Sequence, residues 1–178
     1  MHRIVAGITS LAQHLQTLAH HPAVYRPVAC PHCATVGLWR HGYYYRKAHR
    51  RSPPGASLNP VPIPRFRCRS CCQTCSRLPE CVPARRWYDW ALQLTVLLGL
   101  LDGASVGSTS RSAGVDRRTV GRWWNWLRER DGQFAFFLRS RFPEWGRRSG
   151  FATFWRGAFQ TLPLGAVMAW LDRDLVVP

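Results

Sequence analysis

The sequence predicts an α+β protein in which a small β-ribbon precedes a mainly helical region. Prolines recur throughout residues 27–83 and exclude long helices from that stretch. The same stretch contains two pairs of cysteines, each pair separated by two residues. From residue 84 onward, apolar side chains instead recur at spacings of three and four, the pattern of a helix with one buried side.

The charge balance restricts the choice of partner. The 178 residues include 25 Lys+Arg and 9 Asp+Glu, a net charge of +16. A compact protein with this charge repels itself unless it binds something anionic, so nucleic acid is the expected partner and an anionic membrane surface the second choice. No secretory signal is evident, and the longest apolar run, 94–101, is too short to span a bilayer. We expect a cytoplasmic, nucleoid-associated protein without a membrane partner, in which cysteines bind metal rather than form disulfides.

Four segments are expected: an N-terminal helical segment (1–26), a β-ribbon (27–83), a three-helix segment (84–131) and a basic, aromatic helical extension (132–178). Within the ribbon, strands are predicted at 35–45 and 63–67, with an exposed basic loop over 46–60. Further along, helices are predicted at 87–101, 105–113 and 117–130, and a last one near 164–171. Asp116 would cap the third helix and Asp131-Gly132 would end it.

The cysteine pairs Cys30-Pro31-His32-Cys33 and Cys68-Arg69-Ser70-Cys71 predict a structural zinc site. Each pair can place two thiolates on one tight turn, and the intervening residues contain the two predicted strands. The alternatives are buried free cysteines or a redox pair, although no βαβ pattern surrounds either motif. The remaining cysteines, Cys72, Cys75 and Cys81, fit small apolar core positions, but Cys72 and Cys75 also allow a shifted second pair. A further alternative is replacement of one cysteine ligand by His32 or His41.

Residues 92–127, within the segment 84–131, have the pattern of a helix-turn-helix, in which 105–127 form a short helix, a glycine turn and a longer helix. On its last helix, Val120, Trp124 and Leu127 would form the packing stripe. The opposite face would carry Arg117, Arg118, Gly121, Arg122 and Asn125, and the N-terminal residues of the helix, which reach furthest into the groove, are Arg117, Arg118 and Thr119. The predicted DNA contacts are therefore Arg117, Arg118, Thr119, Arg122 and Asn125. Arg and Asn are the side chains that pair bidentately with guanine and adenine in the major groove. The alternative is an ordinary three-helix bundle with a solvated charged face.

Two further basic groups are predicted to contact phosphates, with solubility as the alternative role. One lies in the ribbon loop and consists of Arg46, Lys47, Arg50 and Arg51. The other consists of Arg139, Arg141, Arg147 and Arg148 around Phe142 and Trp145. The tyrosines at 43–45 beside Arg46 could instead stack on exposed bases, so an RNA-binding zinc protein without a role in transposition is the alternative function.

Three stretches carry a family resemblance: Cys30-Pro31-His32-Cys33, Leu38-Trp39-Arg40-His41-Gly42-Tyr43-Tyr44, and Arg65-Phe66-Arg67-Cys68-Arg69-Ser70-Cys71 with Thr74. Together with the helices that follow, they resemble the zinc-ribbon and helix-turn-helix region of bacterial insertion-sequence transposases and of their small DNA-binding accessory proteins. The sequence departs from that pattern at Cys72, where glycine is usual, and at Cys75, where an aromatic residue is usual.

The resemblance implies sequence-specific binding to transposon-end or related double-stranded DNA, with a transposase subunit or a second copy of the chain as further partner. It does not bring catalysis with it. Full transposases carry three carboxylates on a separate ribonuclease-H-like domain, and none of the nine acids here lies in a strand-rich region of adequate size. We therefore expect a non-enzymatic protein, either a stand-alone accessory protein or a remnant of a longer reading frame.

Overall fold

The computed structural model describes residues 3–47, 60–84, 88–175 and 177. The chain forms two compact units: Met1–Asp89 with Asp172–Pro178, called here the cysteine unit, and Trp90–Leu171, called the helical unit. Helices and small sheets both occur, in agreement with the predicted α+β class. The predicted segments 1–26 and 27–83 belong to one unit rather than to two.

Two small sheets form the cysteine unit, one of three antiparallel strands and one of two parallel strands. The strands are β1 (Ile4–Val5), β2 (Leu38–Arg46), β3 (Val61–Cys68), β4 (Thr74–Cys75) and β5 (Leu78–Pro79). Strands β2 and β3 pair from Leu38–Cys68 to Arg46–Val61, with a bulge between Arg40 and Tyr43. Gly42, with a φ of 75°, lies in that bulge, where a positive φ is often required. The two predicted strands are therefore confirmed, each one to three residues longer or shorter at its ends.

The N-terminal prediction was partly wrong. Helix α1 spans only Leu11–His20, and its N-cap Ser10 accepts a hydrogen bond of 3.1 Å from the Gln13 N–H. Ile4–Val5 instead forms β1, which pairs with β5. The carboxylate of Asp172 accepts hydrogen bonds from the backbone N–H groups of Arg3 and Ile4. Because these partners lie more than 70 residues away in the chain, local periodicity could not reveal the strand.

Five helices make up the helical unit. They are α2 (Trp90–Leu101), α3 (Val106–Ala113), α4 (Arg117–Arg141), α5 (Phe151–Thr161) and α6 (Leu164–Leu171), with a 3-10 turn at Pro143–Arg147. The predicted helices at 87–101, 105–113 and 164–171 are confirmed within three residues. Helix α5 was not predicted, although Phe151, Phe154, Trp155 and Ala158 recur at spacings of three and four, the pattern of a helix with one buried side.

Helix α4 corrects two predictions. It does not end at Asp131-Gly132 but continues to Arg141. An internal glycine costs about 1 kcal/mol in a helix, and the buried side chains of Phe134 and Leu138, which lie beyond it, outweigh that cost by packing in the core. The buried stripe at its start consists of Val120, Trp123 and Leu127, whereas Trp124 is only half-buried.

Aromatic side chains dominate the core of the helical unit. Trp145, Trp155, Phe134 and Phe154 are all at most 1% exposed, and their rings contact one another edge to face. Asp131 accepts a hydrogen bond of 2.7 Å from the indole N–H of Trp155, which ties α4 to α5. Among the described residues, none of the helices combines the length and the apolar character needed to cross a bilayer.

Candidate metal centre and candidate nucleic-acid interface

Four cysteines converge in the cysteine unit. Cys30 and Cys33 lie in the turn before β2, Cys68 ends β3, and Cys71 lies in the turn between β3 and β4. Their four sulfur atoms all lie within 4.8 Å of one another. The two CxxC pairs predicted from the sequence thus form one cluster that can hold a metal ion.

The two cysteine turns have the same backbone geometry. In each, the N–H of the first cysteine bonds to a carbonyl five residues later: Cys30 to Thr35 and Cys68 to Gln73, both at 2.9 Å. In each, the residue after the second cysteine has a left-handed φ, 58° at Ala34 and 57° at Cys72. This conformation is easiest for glycine, so Ala34 and Cys72 both adopt it at some cost in free energy. Neither Ala34 nor Cys72 was predicted to have this conformation, although each directly follows the second cysteine of a pair, and that shared position is a usable signal.

Sulfur–sulfur distances exclude disulfides within the cluster. The Sγ atoms of Cys30 and Cys71 are 3.6 Å apart, as are those of Cys33 and Cys68. A disulfide requires about 2.05 Å, and all four cysteines have free thiols. Cys30 and Cys68 are buried, whereas Cys33 is exposed and Cys71 half-buried, so the cluster lies at the surface with one side in the core.

The thiols differ in acidity. Hydrogen bonds with the side chain and the backbone of Thr35 lower the pKa of Cys33 to about 6. At Cys71, a hydrogen bond from the Gln73 backbone lowers the pKa. Burial and hydrogen bonds with the other three thiols act in the opposite direction and together outweigh it, so that the pKa is raised to about 12. Four thiolates this close would repel one another, and a bound cation removes that repulsion. The cluster is therefore suited to a metal ion.

The remaining cysteines lie outside the cluster. Cys75 is buried beside Cys30 and Phe66, and Cys81 packs against the smaller apolar cluster formed by residues such as Val82. Both occupy the small apolar positions that were expected of them. Cys72 is exposed and does not. The second pair is in the register of Cys68 and Cys71, and neither His32 nor His41 joins the four sulfur atoms.

In the helical unit, a three-residue turn connects α3 to α4. Ser105 caps α3 by accepting a hydrogen bond from the Ser108 N–H at 3.1 Å. Gly114 ends α3 with a left-handed φ of 59°, and Val115 is buried at 2% exposure. Asp116 then caps α4 by accepting from the N–H groups of Arg118 and Thr119. The end of α3 and the start of α4 are therefore each set by residues within the turn itself.

The N-terminal part of α4 presents the predicted basic face. Arg117, Arg118, Arg122 and Asn125 are exposed, while Thr119 is half-buried and accepts a hydrogen bond of 3.1 Å from the Arg122 guanidinium. Arg118, Arg122 and Asn125 lie on the side opposite the buried stripe, as the helical period requires. Three of the five predicted contact residues therefore share one exposed face, while Arg117 and Thr119 lie to either side of it and Thr119 is half-buried.

The ribbon-loop residues behave differently. Arg46 is half-buried and donates a hydrogen bond to the Pro83 carbonyl, and burial lowers its pKa. This contact ties Arg46 to the fold, so it fits a phosphate-contacting role less well than exposed Lys47 does. Arg50 and Arg51 lie outside the described residues.

The C-terminal arginines are largely part of the packing. The Arg139 guanidinium lies 4.7 Å from the Phe154 ring centre, and that of Arg141 lies 4.6 Å from the Trp170 ring centre. Arg148 lies against Gly157, where a Cβ atom would come within 1.9 Å of its Nη1. Arg147 is exposed. Of this predicted group, the side chains of Arg139, Arg141 and Arg148 therefore have structural contacts within the unit.

Comparisons of the chain with known protein families, with curated proteins and with solved structures gave no match.

Proposed function

We propose that this chain is a non-enzymatic, sequence-specific DNA-binding protein that carries one structural zinc ion and is related to transposition. Cys30, Cys33, Cys68 and Cys71 would hold the zinc, and α2, α3 and α4 would act as a helix-turn-helix on double-stranded DNA. The observation that carries the proposal is the capped turn from α3 to α4, which leaves Arg117, Arg118, Arg122 and Asn125 in solvent.

The donor set and its spacing support zinc. Four thiolates in two CxxC turns are the ligands of structural zinc sites, where each Zn–S bond is about 2.3 Å long. A tetrahedron with such bonds has sulfur–sulfur edges of roughly 3.8 Å, close to the two distances of 3.6 Å in this cluster. All four positions would be filled by protein, so the zinc would stabilise the fold rather than take part in a reaction.

Metal analysis of the purified chain tests the zinc. We expect about one zinc per chain by mass spectrometry of the digested protein, and loss of that zinc in Cys71→Ser. The matched control is Cys72→Ser, which removes the neighbouring, exposed thiol and should keep the metal. Full zinc retention in Cys71→Ser together with loss in Cys72→Ser would contradict the assigned ligands.

Charge distribution supports DNA as the partner. Residues 1–79 contain no Asp or Glu at all, and in the helical unit eleven arginines face five acidic residues. The exposed arginines of α4 therefore have few carboxylates to neutralise them, and a polyanion satisfies them best. The length of the turn and the left-handed Gly114 agree with the helix-turn-helix connection, whose second helix enters the major groove with its N-terminal residues foremost.

Duplex binding by gel shift, at several salt concentrations, tests this interface. We expect Arg118→Ala to weaken binding to a selected duplex by about 1–3 kcal/mol and to relax base preference at one position. Arg130→Ala serves as the control, since it removes an exposed arginine from the same helix three turns further along. Equal losses in both variants would mean that α4 contributes only general charge, and no duplex binding at low salt would refute the proposal.

The relation to transposition rests on the resemblance of residues 28–130 to the transposase pattern. Its test is selection of preferred sites from random duplexes, followed by a search for those sites in the source genome. We expect the selected sites at the ends of inverted repeats. If the selected sites lay in ordinary promoters, the proposed role would be transcriptional control rather than transposition. A preference for single-stranded RNA over all duplexes would favour an RNA-binding role.

A further inference from the structure

A tryptophan lies exposed beside the cysteine cluster. Trp39, in β2, keeps 54% of its surface in solvent. The guanidinium of Arg69 lies over its ring at 5.1 Å, and Arg67 is its partner across the sheet. Trp39, Arg67 and Arg69 are called here the Trp39 surface. Sequence analysis assigned no role to them, although the alternation with buried Leu38 and Cys68 predicts that Trp39 and Arg67 face solvent.

The fold holds this surface in place. Leu38 and Cys68 are paired across the sheet and buried, so the pleat turns Trp39 and Arg67 to the other side. Arg69 belongs to the second cysteine turn, and its side chain passes Gly37, where an added Cβ would lie 3.6 Å from the Arg69 Cδ. The cysteine turns therefore fix the position of Arg69 relative to the indole.

We propose that the Trp39 surface binds an unpaired nucleotide of DNA, with the base stacked on the indole and the adjacent phosphates contacted by Arg67 and Arg69. Aromatic side chains within a positively charged groove are the usual platform for single strands, because every base offers a flat face. The choice of DNA rather than RNA rests on the proposed function.

Charge and shape select this occupant over other partners. Strands β2, β3 and β4 and both cysteine turns contain no carboxylate, so a polyanion complements the surface better than a mixed-charge protein does. A regular duplex would satisfy the two arginines through its phosphates but would offer no base to stack on the solvent-exposed part of the indole, because stacked base pairs hide the faces of their bases. An unpaired nucleotide satisfies all three side chains.

Fluorescence anisotropy with a labelled dT12 oligonucleotide tests the proposal. We expect Trp39→Ala to weaken binding roughly 5- to 160-fold, which corresponds to about 1–3 kcal/mol for the loss of one base–aromatic stack, and Trp39→Phe to retain most of the affinity. The matched control is Tyr45→Ala. Tyr45 lies on the same strand and is 70% exposed. Its partner across the sheet is Pro62, which is five residues from Arg67 along β3. Because side chains alternate between the two faces of a sheet, Tyr45 lies on the face opposite Trp39 and Arg67.

The two arginines have a separate signature. Arg67→Ala and Arg69→Ala should each reduce the slope of log affinity against log salt by about 0.7, the value for one phosphate contact on a single strand. Zinc content and thermal unfolding are measured for every variant, so a misfolded protein is recognised as such.

The same variants are titrated with a blunt duplex. If the proposal holds, Trp39→Ala binds dT12 more weakly by the stated factor and keeps the duplex affinity of the wild-type chain. Unchanged dT12 binding by Trp39→Ala, an equal loss in Tyr45→Ala, or tighter binding of rU12 than of dT12 would overturn it. If the wild-type chain binds dT12 through Trp39 but binds no duplex, the helix-turn-helix proposal fails while the Trp39 surface stands.

Discussion

The two units of this chain are built on different sources of stability. The cysteine unit has strands of two to nine residues and two small apolar clusters, and three of the nine buried residues in the larger one are cysteines. The helical unit buries four large aromatic side chains that contact one another, together with several leucines. A small unit with so few apolar residues generally needs a staple such as a metal ion, whereas a helical core of this kind does not.

The two units also differ in what holds their proposed binding side chains in place. In the cysteine unit, the side chains assigned to binding lie next to the cluster, so their placement depends on it. In the helical unit, Arg118 and Arg122 are placed by helix geometry and by the Asp116 cap, which need no metal. Metal loss should therefore disable one surface directly and leave the other folded.

Removing the proposed zinc ion has the largest expected effect. A structural zinc ion contributes on the order of 10–16 kcal/mol to folding, so a strong chelator should unfold the cysteine unit at neutral pH. The helical unit contains seven of the nine tryptophans, and their indole N–H signals in an NMR spectrum should stay dispersed. Collapse of all nine signals together would show that the helical unit does not fold without the cysteine unit.

The converse perturbation is a cavity in the helical unit. Leu138 is 1% exposed, and Leu138→Ala should lower the free energy of unfolding by about 2–5 kcal/mol. Denaturation followed by circular dichroism measures the loss, and zinc content should stay at the wild-type level. Zinc release at the midpoint of helix unfolding would contradict this prediction, since it would show that the two units unfold together.

A pair of substitutions tests the same backbone conformation in both units. Gly114 and Cys72 have nearly equal left-handed φ values, 59° and 57°. A Cβ in that region costs roughly 1–2 kcal/mol. Gly114→Ala should destabilise the helical unit by about that amount, and Cys72→Gly should stabilise the metal-loaded cysteine unit by about 1 kcal/mol. Both changes are read as shifts in denaturation midpoint, and shifts of the same sign would contradict the strain argument.

The smallest expected effect concerns the buried His14. Its Nε2 lies 2.8 Å from the Pro62 carbonyl, which only accepts hydrogen bonds, so Nε2 carries the proton and Nδ1 accepts from the Tyr25 hydroxyl. Burial lowers the pKa of His14, a shift partly opposed by the Pro62 hydrogen bond. The unfolded chain therefore gains a proton first as the pH falls below about 6.5. The stability contribution of neutral His14 is present above that value and declines as the pH falls through the lowered pKa.

Nitrogen NMR of the imidazole ring measures this directly. We expect the Nε2-protonated neutral form at pH 7 and a titration midpoint below 6.5. Tyr25→Phe should cost about 1 kcal/mol, because it leaves Nδ1 without its donor. A midpoint above 6.5, or the other ring tautomer, would contradict the buried neutral histidine.

Local signals made part of this structure predictable. The Asp116 cap and the left-handed Gly114 act within a few residues, so the turn between α3 and α4 could be placed from sequence. The spacing within each CxxC pair likewise predicted the cluster of four cysteines that can hold a metal ion. Local signals also misled: Asp131-Gly132 looked like a helix end, and only the burial of Phe134 and Leu138 carries α4 past it.

By itself, the sequence determined the charge, the two cysteine pairs, the proline-rich ribbon and the helix boundaries that have caps, since each depends on composition or on neighbours within one turn. The tertiary structure alone decided that Ile4–Val5 forms a strand and that Trp123 rather than Trp124 is buried. It also decided which cysteines converge and which side of the ribbon exposes Trp39. Those outcomes depend on contacts between residues far apart in the chain, and a local sequence pattern does not identify the distant residues that pack against it.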